Sequence, residues 1–198
     1  MLKNLIALLF ASVLALILSG CSTMHMGWTA VTGQHKLDDQ AMPAYDAMFT
    51  KVVEYGDPAR AMMKEWKVTA SAEDMPNEEI AETIKALAEE YNMRVTGDVK
   101  MYTEPNAKPD EVKHARIFSM CSLPIAKVFL NHSRWYGGFM PCRIMLVEYG
   151  NGDRYLVSMD MTLAIHGGYP LPPEMLKMAL HVKKAMEEVP ARAAIGDF

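Results

Sequence analysis

The sequence has few cysteines and none of the motifs that common catalytic mechanisms require. Its 198 residues include three cysteines, with no C-x-x-C pair and no C-x-x-C-H sequence for covalent haem attachment. No G-x-S-x-G, H-E-x-x-H, G-x-x-x-x-G-K-[ST] or G-x-G-x-x-G sequence is present. Serine-hydrolase, zinc-peptidase, P-loop and dinucleotide-binding sites are therefore not indicated. The sequence leaves open whether the protein is an enzyme.

Basic residues are also fewer than acidic residues. The chain has 20 Lys and Arg against 24 Asp and Glu, a formal net charge of −4. A protein that binds nucleic acid releases phosphate counterions through a basic surface, which this composition does not favour. Nucleic acid is not an expected partner.

Long apolar runs are limited to one, at the N-terminus. Residues 5–18 form a nearly unbroken apolar run of fourteen residues, shorter than the roughly 20 that span a bilayer but typical of a signal peptide. The sequence Leu-Ser-Gly-Cys that ends at Cys21 resembles the lipobox of bacterial lipoproteins. That resemblance implies cleavage before Cys21 and a lipid anchor on its sulfur. Ser22, in place of an aspartate, implies the outer membrane facing the periplasm.

The pattern of the remaining chain predicts three parts: a leader at 1–20, a lipidated cysteine with a tether and short helix at 21–60, and one domain at 61–198. Alternating polarity predicts strands at 66–70, 93–101 and 155–161. Further strands are predicted at 114–121 and at 142–149, where residues 142–149 are apolar on both faces, as expected for a central strand. Apolar stripes at helical spacing predict helices at 77–91, at 124–136 and from 172 onward. Residues 150–153 (GNGD) predict a hairpin turn. The element order predicts an α+β, two-layer β-α-β-β-α-β-β-α domain, with helices on one face of a sheet of about five strands.

With these segments in place, residues 66–165 resemble the domain-of-unknown-function 302 (DUF302) family. The resemblance is carried by residues 117–121 (IFSMC), 139–144 (FMPCRI) and 148–152 (EYGNG). Met140 stands where the family has a leucine. The family implies a small α+β domain that is frequently dimeric, so a homodimer is expected. Because the family has no established activity, the resemblance implies no function.

If Cys21 is lipidated, Cys121 and Cys142 remain, and three interpretations stay open: a structural disulfide, a functional thiol or metal site, and two inert buried thiols. A helix of 13 residues spans about 20 Å, whereas a disulfide requires Cα atoms within about 7 Å. We therefore expect the two cysteines near opposite strand ends. Cys121 precedes a helix, whose N–H groups are expected to lower its thiol pKa.

Soft ligands cluster in the same part of the sequence. The candidate ligand set is Cys121, Cys142, Met140, Met120 and His114. Sulfur and imidazole ligands suit Cu(I) or the axial positions of a haem, so copper and haem are the cofactors considered.

Arg143 falls on a predicted central strand, where a buried charge requires a partner. The sequence favours a structural ion pair, with Glu148 or with Asp160 on the neighbouring strand, over a ligand-binding role for this arginine.

Taken together, these features favour a periplasmic lipoprotein, tethered to the outer membrane, that binds a small ligand, a soft metal or a sulfur species. A thiol-dependent redox enzyme or carrier using Cys121 and Cys142 is the first alternative. A structural envelope protein is the second.

Overall fold

The computed structural model describes residues 27–29 and 31–197. The predicted leader and the predicted lipidation site at Cys21 lie outside these residues. Within the described ranges, no helix combines the length and apolarity needed to cross a membrane.

In the described residues, helical residues at 27–29 and 31–33 and a 3-10 helix (Gln34–Lys36) come first, and two longer α-helices follow before the sheet. Helix α1 (Ala41–Tyr55) ends at Gly56, whose φ of 64° is the left-handed conformation typical of a helix C-terminus. Asp57 caps α2 (Pro58–Met62) by accepting a hydrogen bond from the Ala59 N–H. Gly56, Asp57 and Pro58 thus form the boundary between these two helices.

The domain contains five strands and four further helices. The strands are β1 (Met63–Lys67), β2 (Arg94–Thr103), β3 (Val112–Cys121), β4 (Cys142–Tyr149) and β5 (Arg154–Met159). The helices are α3 (Asn77–Glu90), α4 (Leu123–His132), α5 (Thr162–His166) and α6 (Pro173–Ala193), with a 3-10 helix at Arg134–Phe139.

All strand pairs are antiparallel, in the order β1-β5-β4-β3-β2. The hairpin predicted at residues 150–153 joins β4 to β5. The predicted α+β class with a five-stranded sheet is confirmed.

Alternation along the strands separates a helix-covered face from an open face. Residues of the covered face are buried against apolar side chains of α3 and α6, and include Phe118, Met120, Ile144, Leu146 and Leu156. Residues between them on β3, β4 and β5 are only half-buried. The helices thus cover one face of the sheet, as the two-layer pattern predicts.

Several bounds differ from the sequence prediction by one or two residues, and three differences are larger. Strand β1 begins at Met63 rather than residue 66, because Met63 already pairs with Met159. Helix α4 ends at His132, and the predicted remainder of that helix forms the 3-10 helix. Helix α5 was not predicted, since five residues are too few to show a helical period.

Candidate functional site

Cys121 and Cys142 lie at the same end of two neighbouring strands. Strands β3 and β4 are antiparallel, and Met120 pairs directly with Cys142. The expectation that the cysteines occupy opposite strand ends is therefore wrong. Helix α4 and the 3-10 helix contact each other and return the chain to the end of the sheet from which it left.

Both cysteines are free thiols. Met120 and Cys142 are cross-strand partners and share the covered face, so alternation directs Cys121 to the open face. Burial raises the pKa of Cys142 to about 11, and nearby Cys121 adds to that increase. Burial also raises the pKa of Cys121, against the decrease expected from the helix N-terminus. Neither site favours a reactive thiolate.

The predicted soft-ligand set is not brought together. Met120 is fully buried in the main core. His114 lies near the other end of β3 from Cys121. Met140 and Cys142 line a small apolar pocket of about 60 Å³ beneath α4 and α6. In the described part of the chain, no three His, Cys, Asp or Glu side chains form a group that could hold a metal ion.

A larger cavity of about 270 Å³ opens at this end of the sheet. We call it the sheet-end cavity. Five methionines line it, namely Met63, Met145, Met159, Met161 and Met186. Ile117, Val157 and the exposed ring of Phe139 add further apolar surface. Thioether side chains are flexible, so they can adapt to the shape of a bound molecule.

Among the described residues that line the sheet-end cavity, Arg143 is the only charged one. It is exposed, and it forms no ion pair within the ranges that the structure describes. The predicted pair with Glu148 is wrong, because an odd separation on one strand directs the two side chains to opposite faces. Glu148 instead accepts hydrogen bonds from Lys113 Nζ (2.8 Å) and Asn77 Nδ2 (2.6 Å).

Glu148 belongs to a buried charged network that the sequence did not indicate. Arg154 is only 1% exposed. Its guanidinium donates to the carbonyl oxygens of Met75 (2.6 Å) and Ala70 (2.7 Å), and to Asn77 Oδ1 (3.2 Å). The sequence pattern could have indicated that these two charged residues are buried, because Arg154 and Glu148 fall at the same alternating positions as the buried Leu156 and Ile144.

A second buried arginine forms a separate network nearer β2. Arg116 is almost fully buried and donates to both carboxylate oxygens of Asp98 (2.6 and 2.8 Å) and to Glu78. This contact lowers the pKa of Asp98 to about 2. His114 lies beside the network, and burial lowers its pKa. Its Nε2 atom has no hydrogen-bond partner among the described residues.

These contacts join the sheet to α3 and to the segment before it, and each buried charged group has hydrogen-bond partners, as a structural network requires. The sheet-end cavity differs from it: its lining is apolar, with one unpaired charge at the solvent side. The cavity is therefore the candidate binding site.

A known protein family matches most of this domain. The domain of unknown function DUF302 matches residues 66–192, more than half of the chain. The chain belongs to the DUF302 family. The resemblance predicted from the sequence is thereby confirmed, and the matched region includes the whole sheet-end cavity except Met63.

One solved structure gives a further comparison. It is an uncharacterized conserved DUF302 protein from Bacillus stearothermophilus, 14% identical in sequence, with a TM-score of 0.49. The match covers 67% of this chain and 98% of that chain. Among curated proteins, none matches this sequence.

The thiol environment predicts slow alkylation of the DUF302 domain under native conditions. Cys121 should react faster than Cys142 near neutral pH, because Cys142 has the higher pKa and is the more deeply enclosed. Raising the pH toward 11 should accelerate the reaction of Cys142. Mass-spectrometric peptide mapping after timed alkylation measures both rates, with the denatured chain as the control. Rapid labelling of either thiol at neutral pH, or a Cys121–Cys142 disulfide, would contradict this assignment.

Proposed function

We propose that this protein is a lipid-anchored envelope protein whose DUF302 domain binds a small, largely apolar molecule in the sheet-end cavity. The observation that carries the proposal is a concave apolar lining next to solvent, with few polar groups. Binding sites for small molecules typically have this composition.

Sulfur chemistry receives less support. Burial raises the pKa of both thiols, so a redox role for Cys121 would need an activating group. Copper or haem would require the predicted sulfur and imidazole ligands to converge, and His114 and Met120 lie away from the cavity. The methionines of the cavity are better explained as an adaptable apolar wall.

A glycine in the cavity wall offers a direct test of ligand binding. A Cβ atom added at Gly138 would meet nothing within 4 Å, so Gly138→Leu should fold normally while its side chain occupies cavity space. We expect a neutral naphthylamine dye to bind the native full chain and to bind this variant at least about fivefold more weakly, as lost apolar contact suggests. Fluorescence titration in one non-ionic detergent measures both affinities.

The matched control is Gly168→Leu, since Gly168 is equally unobstructed but lies outside the cavity. It should bind the dye as the native chain does. Equal dye affinity in the native chain and both variants would contradict the assignment of the sheet-end cavity as the binding site.

The proposed anchoring rests on the sequence before Ser22. The apolar run and the Leu-Ser-Gly-Cys sequence support cleavage and acylation at Cys21, with location at the periplasmic side of the outer membrane. Several acyl chains would hold the protein firmly, since each buried methylene contributes about 0.8 kcal/mol.

Substitution of the acylated residue tests this anchor. Cys21→Ala should abolish incorporation of labelled palmitate and leave the precursor uncleaved by the lipoprotein peptidase. Cys121→Ala is the control and should be acylated normally. Palmitate labelling of Cys21→Ala at the native level would rule out the anchor.

We also propose that the protein is a homodimer. The second half of β2 forms an edge of the sheet, and Val99, Met101 and Tyr102 on it are each at least half exposed. An edge strand with exposed apolar side chains and free backbone groups favours pairing with a second strand. A second copy of the same edge is the occupant that we propose.

A charge on this edge tests the dimer. Multi-angle light scattering should report a dimer at micromolar concentration for the native chain and a monomer for Met101→Lys, because the lysine would be desolvated in the interface. Leu180→Lys, an exposed apolar position on α6, should leave the dimer intact. A native monomer, or a dimer unaffected by Met101→Lys, would refute the edge interface.

A further inference from the structure

We infer that the molecule bound in the sheet-end cavity is a small amphipathic anion, with a carboxylate held by Arg143 and an alkyl chain against the apolar lining. This inference rests on the proposed function of the cavity. It adds the chemical class of the ligand and the residue that selects it.

The apolar part of the site is a row of side chains across three strands. Met145 on β4 pairs with Ile117 on β3 and with Val157 on β5. Directly paired residues project from the same face, so these three side chains form one continuous apolar strip on the open face. All three line the sheet-end cavity.

Arg143 stands at a fixed distance from this strip. It lies two residues before Met145 on β4, and therefore projects from the same open face about 7 Å further along the strand. It is also beside the paired Met63 and Met159 in the cavity lining. A molecule that extends along β4 would place one end at the guanidinium and the other over the strip.

The charge of Arg143 is available to a ligand. No carboxylate of the described residues is paired with it, whereas Arg116 and Arg154, on the covered face, are both held by hydrogen bonds to buried partners. The whole chain carries a net charge of −4, so it repels anions except where a local positive charge is unopposed. A guanidinium binds a carboxylate through two parallel hydrogen bonds.

The same charge argues against a metal cation in this cavity. A soft ion bound by the methionine sulfur atoms would lie close to the Arg143 guanidinium and be repelled by it. A bound amphipathic anion would instead be stabilised both by the guanidinium charge and by contacts with the apolar lining. The arrangement thus favours an amphipathic acid over Cu(I).

A matched pair of probes separates charge recognition from apolar binding. Octanoate and octanol share one chain and differ in the anionic end. Their dissociation constants are measured by displacement of the neutral dye from the full chain and its variants in the same detergent, so that partition into micelles cancels between proteins. We expect Arg143→Gln to weaken octanoate binding by at least about tenfold, the loss typical of a hydrogen bond to a charged group, and to change octanol binding by less than twofold.

Two further variants complete the design. Arg143→Lys keeps the positive charge but loses the planar guanidinium that forms two parallel hydrogen bonds to a carboxylate. This variant should bind octanoate with intermediate affinity. Arg134→Gln removes an exposed arginine that stacks on Trp135 outside the cavity, and should change neither probe.

Each outcome bears on a different statement. If octanol binds and Arg143→Gln leaves octanoate unchanged, the anionic class is overturned and the proposed apolar site stands. Equal weakening of both probes also overturns charge recognition. If the native chain binds neither probe nor dye, the proposed function itself fails.

Discussion

The buried guanidinium of Arg154 is the contact on which the helix-covered layer depends. An arginine that is 1% exposed must satisfy its donors within the protein. It does so with two main-chain oxygens of residues 70–75 and with Asn77, the first residue of α3. Asn77 in turn donates to Glu148 on β4. One side chain of β5 thereby fixes the β1–α3 connection and sets where α3 begins on the sheet.

The consequence of this layer is that the sheet has two unlike faces. Helices α3 and α6 bury the covered face, and the hydrogen bonds of Arg116 to Glu78 and of Arg154 to Asn77 hold the start of α3 in place. On the open face, the alternate side chains of β3, β4 and β5 are half-buried, and many of them are apolar. The sheet-end cavity forms where the chain from Gly138 to Cys142 rises beside this open face. Placement of the helices on one side is what leaves apolar surface available for a ligand on the other.

The two cysteines show how strand pairing determines the environment, and so the reactivity, of a thiol. Since β3 and β4 are antiparallel neighbours, Cys121 and Cys142 come to the same end of the sheet, yet alternation separates them onto its two faces. The pair therefore remains as thiols, and burial rather than a helix terminus controls their pKa values. Arg143, by contrast, is left exposed by the same alternation that buries Ile144.

Much of the fold followed from local pattern alone. The α3 stripe, the limits of β4 and the turn at residues 150–153 were predictable, because amphipathic periods and turn residues act over a few neighbours. The cysteine geometry was not, since it depended on whether the segment from Leu123 to Phe139 crosses the sheet or returns to the same end. The partners of Arg143, Glu148 and Arg154 were likewise undetermined, because an ion pair depends on strand register and face, which join residues far apart in sequence. The sequence by itself determined the elements, the family and the sulfur-rich composition. Only the tertiary structure decided which of those side chains meet at the cavity, because contacts between strands are set by pairing and alternation across the whole sheet.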